Sequence, residues 1–202
     1  MNNSHMKTSK LTGLAIFTAI IVVLQVLATF IKFGPVSITL ALAPIIIGAA
    51  VYGAGAGAYL GFVLAVVILA SGLLGWDGGF VMYLMSISPI GVILTIFLKS
   101  TAAGYLSGVT YRAVAKKSSK AASVVSGIVC PVVNTGLFIL CMFLFFFDAL
   151  TGMAEGAGKS MIAYIIFGLC GINFVIELVV NLALSSVITH VVCIRSRSRR
   201  IA

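Results

Sequence analysis

Residues 11–31, "LTGLAIFTAIIVVLQVLATFI", run for twenty-one positions without a charged side chain. As a helix, that run covers about 30 Å, the thickness of a bilayer's hydrocarbon core. Lipid offers the backbone no hydrogen-bond partners, so an isolated stretch of this kind has to be helical. The pattern recurs. Residues 40–52 form a shorter apolar run that contains Pro44, and "GAGAGAYLG" (53–61) leads into a third run ending near Leu74. Further runs cover residues 80–111, 121–147 and 161–194. The chain is 61% hydrophobic and 8% charged, whereas soluble domains carry about 25% charged residues. The fold class predicted is an all-α membrane protein.

Loops and charges set the predicted topology. "KFGPVSIT" (32–39) and "GWDGG" (75–79) read as breaks between helices. Residues 80–111 would extend about 48 Å as one helix, too long for a single perpendicular span. Part of the region, "GFVMYLMSISP", is therefore predicted as loop or a short interfacial helix. "DALTGMAEGAGKS" (148–160) reads as a polar loop. Six transmembrane helices place both termini on one side. Ten of the thirteen basic residues then share it: Lys7, Lys10, Arg112, Lys116, Lys117, Lys120, Arg195, Arg197, Arg199 and Arg200. By the positive-inside rule that side is the cytoplasm. Asp77, Asp148 and Glu155, three of the four acidic residues, fall in the opposite loops. The chain divides into a cytoplasmic N-terminal segment (1–10), a six-helix domain (11–194) and a basic cytoplasmic tail (195–202). "MNNSHM" lacks the features of a cleavable signal peptide and reads as a candidate tag remnant.

Several function classes are disfavoured. The net charge of +9 follows membrane topology and not a nucleic-acid-binding face. Cys130, Cys141, Cys170 and Cys193 sit in or beside apolar runs and form no CxxC, so no metal or redox motif is present. "GAGKS" (156–160) lacks the first glycine of a phosphate-binding loop, because residue 153 is Met. "GAGAGA" (53–58) matches a dinucleotide fingerprint only formally, since it follows an apolar helix and not a strand. Gly53, Gly57 and Gly61 instead have the four-residue spacing that lets membrane helices approach closely. There is no HExxH, and only His5 and His190 are available as histidine bases. An enzyme is not expected, and no cofactor is implied.

The intramembrane polar residues are the candidate site. Lys99 lies about 20 Å from Arg112 along a helix, in the outer half of the membrane. A buried lysine needs a partner, a wet cavity or an anionic ligand. Asn173, Glu177 and Asn181 recur every four residues, which makes one stripe of a helix that faces the bundle interior. Asn134 reaches the same space from the preceding helix. Two roles are open for Glu177: contacting a ligand's hydroxyl or amide donors, or neutralising Lys99. Helix–helix hydrogen bonding without a ligand is the bland alternative for the whole stripe. Trp76, Tyr83 and Phe33 in the outer loops are positioned to cover a polar site. Ala15 and Ala19 form a smooth face near the cytoplasmic end of the first helix, suited to internal packing or to docking a partner subunit.

The chain resembles the substrate-binding S components of energy-coupling factor (ECF) vitamin transporters, over nearly its whole length. "LAIFTAI" (14–20), "FGPVSITLALAPIIIGAAVYGAGAGAYLGFV" (33–63), "CPVVNTGLFILCMFLFF" (130–146) and the Asn173–Glu177 stripe carry the resemblance. The second of these is most similar to pantothenate-type and related members. The resemblance implies a high-affinity vitamin-binding subunit of an ABC importer in the bacterial plasma membrane. It implies partners: a transmembrane coupling subunit, two ATPase subunits and membrane lipids. Ala15 and Ala19 match its docking positions. Lys99, Asn134, Asn173 and Glu177 fall in its substrate region, with Asn181, Trp76 and Phe33 as further candidates. Release is expected to follow toppling of the subunit in the membrane. Pantothenate is the favoured substrate. Riboflavin, folate, niacin and queuosine precursors are the alternatives within the family. A structural or assembly protein without a ligand, and a stand-alone channel or exporter, are the alternatives outside it.

Overall fold

A computed structural model describes residues 3–31 and 39–184, with Val187 and His190. Phe33 and the basic tail lie outside the described residues. The helices are α1 (Asn3–Thr29), α2 (Leu42–Tyr52), α3 (Ala54–Leu73), α4 (Phe80–Ile87), α5 (Pro89–Ala115) and α6 (Ser119–Phe145). They continue with α7 (Phe147–Gly156), α8 (Met161–Tyr164), a π-helical turn (Ile165–Leu169) and α9 (Gly171–Ala183).

Local chemistry explains the boundaries. Pro44 sits in the first turn of α2, where its missing N–H would have had no helical partner. Gly53 joins α2 directly to α3 with φ +98°, a backbone conformation that L side chains rarely adopt. A Cβ at Gly53 would stand 2.6 Å from Cζ of Arg112, so the guanidinium fills the space the glycine leaves. Asp77 caps α4: its Oδ1 accepts from the Gly79 N–H at 3.0 Å and its Oδ2 from the Val81 N–H at 2.7 Å. Ser88 caps α5 by accepting from the Gly91 N–H at 3.1 Å, and Pro89 opens the helix. The long apolar region after residue 80 is thus divided into a short helix and a full span, as its length required.

Among the described residues, four helices are long and apolar enough to cross a membrane, namely α1 from Thr8, α3, α5 and α6. The pair Met161–Leu169 and Gly171–Ala183, bent by 43°, makes a fifth if taken as one broken span. α2 is apolar but has eleven residues, which reach only about 17 Å. α5 is central: half of its most apolar stretch is buried within the protein, against 17% for peripheral α1.

Two parts of the sequence reading are corrected. Residues 148–160 are not simply a polar loop, since most of them belong to α7. Asp148 occupies its first turn, and Ala149, Leu150 and Ala154 are buried. The sixth apolar run is not one continuous helix, because a π-helical turn and a bend at Cys170 interrupt it.

α3 and α5 meet backbone to backbone. A Cβ on Gly57 or Gly104 would strike the carbonyl oxygen of the other, and one on Gly108 would lie 2.6 Å from the Ala54 Cα. The four-residue glycine spacing read from the sequence does bring helices together, and α5 answers it with Ser100, Gly104 and Gly108 at the same period.

Packing also sorts the charges. Tyr52, at the end of α2, lies against Gly13 and the Phe17 ring of α1. Arg112 covers the α2–α3 joint. Lys10, Arg112, Lys116, Lys117 and Lys120 therefore share one end of the bundle. At the other end Phe30 meets Trp76, with ring centroids 6.0 Å apart. Asp77, Asp148 and Glu155 belong to that end.

Candidate functional site

The core is divided. One apolar cluster, with Ile96, Phe138 and Met142 among its members, occupies the acidic end, and a second, with Leu60, Ala103 and Cys130, the basic end. On α5, Lys99 falls between Ile96 and Ala103. On α6, Asn134 falls between Cys130 and Phe138. Each polar residue thus lies about one helical turn from apolar neighbours on either side, in a polar layer between two oily ones.

Lys99, Asn134, Asn173 and Glu177 all line one cavity of about 20 Å³, together with Thr39, Thr135, Phe138, Leu169 and Cys170. A larger cavity of about 70 Å³ adjoins it, and Thr39, Lys99 and Phe138 line both. The larger one extends toward the acidic end, where Asp77, Phe80, Val81 and Leu84 contribute to its wall. Apart from Lys99 and Asp77, its lining is mainly aliphatic and aromatic.

Lys99 is 8% exposed, so its ammonium group lies out of bulk solvent. Its Nζ stands 5.0 Å from the centroid of the Phe138 ring, a cation–π contact. Glu177 is 5% exposed. Its Oε1 accepts from the backbone N–H of Thr39 at 3.0 Å. Its Oε2 is buried without a hydrogen-bond partner. Lys99, Thr39 and Asn134 surround the carboxylate. The two opposite charges therefore share a small, partly open space and attract one another, while the direct contacts of each go to Phe138 and Thr39. An arrangement like this can take up a small anion at Lys99 and hydrogen-bond donors at Glu177 and Asn134.

A family model for the ECF transporter, substrate-specific component, matches residues 9–192. The chain belongs to that family. This S component is a membrane subunit that confers substrate specificity on an ECF transporter and works with an energising module; it is a transport and binding subunit, not an enzyme. No curated protein matches the chain.

The remaining sequence candidates lie apart from these two cavities. Asn181 is buried one turn below Glu177, and its carbonyl oxygen would be 3.4 Å from a Cβ on Gly127, which places it where α9 packs on α6. Trp76 is 41% exposed and packs on Phe30. Ala15 and Ala19 are exposed on α1 among the described residues.

Several residues that line the two cavities were not singled out from the sequence. Thr39 meets Glu177 through its backbone N–H and its side chain, and a threonine in a loop between apolar runs is inconspicuous in the sequence. Phe138 is one aromatic in an oily helix. Asp77 was assigned to a loop, but its link to the larger cavity through α4 depends on tertiary packing. Cys170 gave a weak signal, standing next to a glycine just before the polar stripe.

Proposed function

We propose that this S component binds a small anionic vitamin, with pantothenate favoured, in the space that α5, α6 and α9 enclose around Lys99. The observation that supports this most is a buried lysine on the shared wall of two cavities, with no carboxylate oxygen among its described direct contacts. An ammonium group held in a low-dielectric site attracts an anion more strongly than one in water. Pantothenate offers a carboxylate for Lys99, hydroxyls and an amide for Glu177, Asn134 and Asn173, and a compact apolar part.

In this reading the basic end faces the cytoplasm, the site opens toward the outer face of a bacterial plasma membrane, and residues 11–194 form a six-helix binding domain. The subunit docks on a transmembrane coupling protein and two ATPases, and topples to release its cargo. The exposed Ala15–Ala19 face of α1 supplies the smooth docking surface.

Equilibrium binding of the purified protein to a panel of pantothenate, riboflavin, folate and niacin tests the substrate. Pantothenate is expected to bind below micromolar and ahead of the others. No panel member binding at that level would favour a structural role for the polar layer. Docking has its own test. Ala15→Trp with Ala19→Trp is expected to abolish cellular uptake while leaving binding to the isolated protein within about twofold, because neither residue touches the described cavities. Equal loss of binding would assign the face to the fold instead.

A further inference from the structure

The two oxygens of Glu177 have different surroundings. Oε1 holds the Thr39 backbone at 3.0 Å, a bond that ties α9 to the segment just before α2 across 138 residues of sequence. Oε2 is buried and has no hydrogen-bond partner. On α6, Asn134 is 3% exposed, and its Oδ1 is likewise buried without one. Both residues line the smaller cavity with Lys99. Buried acceptors left unpaired are costly, so such groups are generally matched by donors from protein, water or ligand. The Lys99, Thr39 and Asn134 side chains all stand near the Glu177 carboxylate, but none makes a hydrogen bond to Oε2, and Lys99 Nζ lies over the face of Phe138.

We propose that Glu177 is a split acceptor: Oε1 positions Thr39, while Oε2 together with Asn134 Oδ1 selects substrates that carry hydroxyl donors as well as an anionic group. This rests on the anion-binding reading above and narrows it. A carboxylate alone satisfies Lys99 but leaves two buried oxygens without partners. A carboxylate that also carries donors satisfies all three. A site built to hydrogen-bond a hydroxyl discriminates strongly against an analogue lacking it, because the site's own polar groups are left unpaired. Thr39 lines both cavities, so the Oε1 bond also fixes a shared wall of the site.

Glu177→Gln separates the two roles. Its amide oxygen can still accept from Thr39, while the amide nitrogen replaces the second acceptor with a donor. The test compares pantothenate with the analogue of pantothenate that lacks both hydroxyls, on wild type, Glu177→Gln and Glu177→Ala. Hydrogen exchange of the Thr39 amide is followed without ligand. Glu177→Gln is expected to keep Thr39 protected, to weaken pantothenate about tenfold or more, and to leave the analogue within about twofold. Glu177→Ala is expected to lose Thr39 protection as well. Asn134→Ala repeats the ligand comparison from α6 and serves if Glu177→Gln does not fold. Equal weakening of both ligands by either variant would overturn the proposal, as would loss of Thr39 protection in Glu177→Gln. If wild type binds both ligands equally and Lys99→Met weakens both, the donor rule falls while the anion-binding reading stands. If wild type binds neither, the pantothenate reading falls, and the donor rule with it.

Discussion

Lys99→Met is expected to weaken pantothenate binding about thirtyfold or more, equivalent to about 2 kcal/mol. The magnitude follows from where the ammonium sits. A surface ion pair is typically worth less than about 1 kcal/mol, and its loss would be hard to see. Lys99 is 8% exposed, and the larger of its two cavities is walled in good part by Phe138, Val92, Ile96 and Leu84. Methionine keeps the length and apolar stem of the side chain while removing the charge, so packing against Phe138 is largely retained. The substitution also leaves Glu177 without a nearby cation, which adds repulsion toward an incoming carboxylate. Titration calorimetry of the two proteins measures the ratio. An unchanged affinity would mean that Lys99 serves the fold and not the ligand.

Gly104→Leu is expected to destabilise the protein by roughly 3 kcal/mol or more, so that little folded material accumulates. Many added side chains find room by rotation of a neighbour. Here the obstacle is the carbonyl of Gly57 on the facing helix, which no rotamer change can move. α3 and α5 would have to separate, and the Ser100–Gly61 and Gly108–Ala54 approaches on the same stripe would open with them. Gly136→Leu is the control: a Cβ there meets nothing within 4 Å, and its effect is expected to stay within about 0.5 kcal/mol. Thermal unfolding in detergent, followed by size-exclusion recovery, distinguishes the two. Similar behaviour of both variants would contradict the backbone-to-backbone contact.

The parts of the fold that were legible in the sequence are those governed by repeating spacing or by length. Glycines at 53, 57 and 61 announce a close approach because only a small residue permits it. Residues 80–111 had to break because a helix that long does not fit one span; Asp77 caps the start of the short helix before the break, and Ser88 and Pro89 start the long one after it. Asn173, Glu177 and Asn181 share a face because four residues make about one turn, and all three are buried.

The illegible parts depend on tertiary contacts. The glycines and charges of residues 148–160 suggested loop. Leu150 and Ala154 nonetheless pack into the apolar cluster with Phe146 and Leu84, and that burial favours α7 over local propensity. The bend at Cys170 lies within an apolar run, where the nearby Gly168 and Gly171 mark a flexible point but do not specify a π-helical turn. The stripe showed that Glu177 points inward, but the identity of its partner did not follow from spacing. That partner is a main-chain N–H 138 residues away, which no side-chain pattern encodes. Lys99 was conspicuous as a lone charge in an apolar run, and the burial of its side chain on α5 is what a lysine so placed requires.

The central claim is that the polar layer around Lys99 holds a small anionic vitamin. Native mass spectrometry of the protein released gently from membranes of pantothenate-fed cells tests it most directly. The account predicts a bound species with the mass of pantothenate on wild type and its loss in Lys99→Met at equal folded yield. A wild-type protein that carries no small molecule, or a bound vitamin equally retained by Lys99→Met, would contradict it.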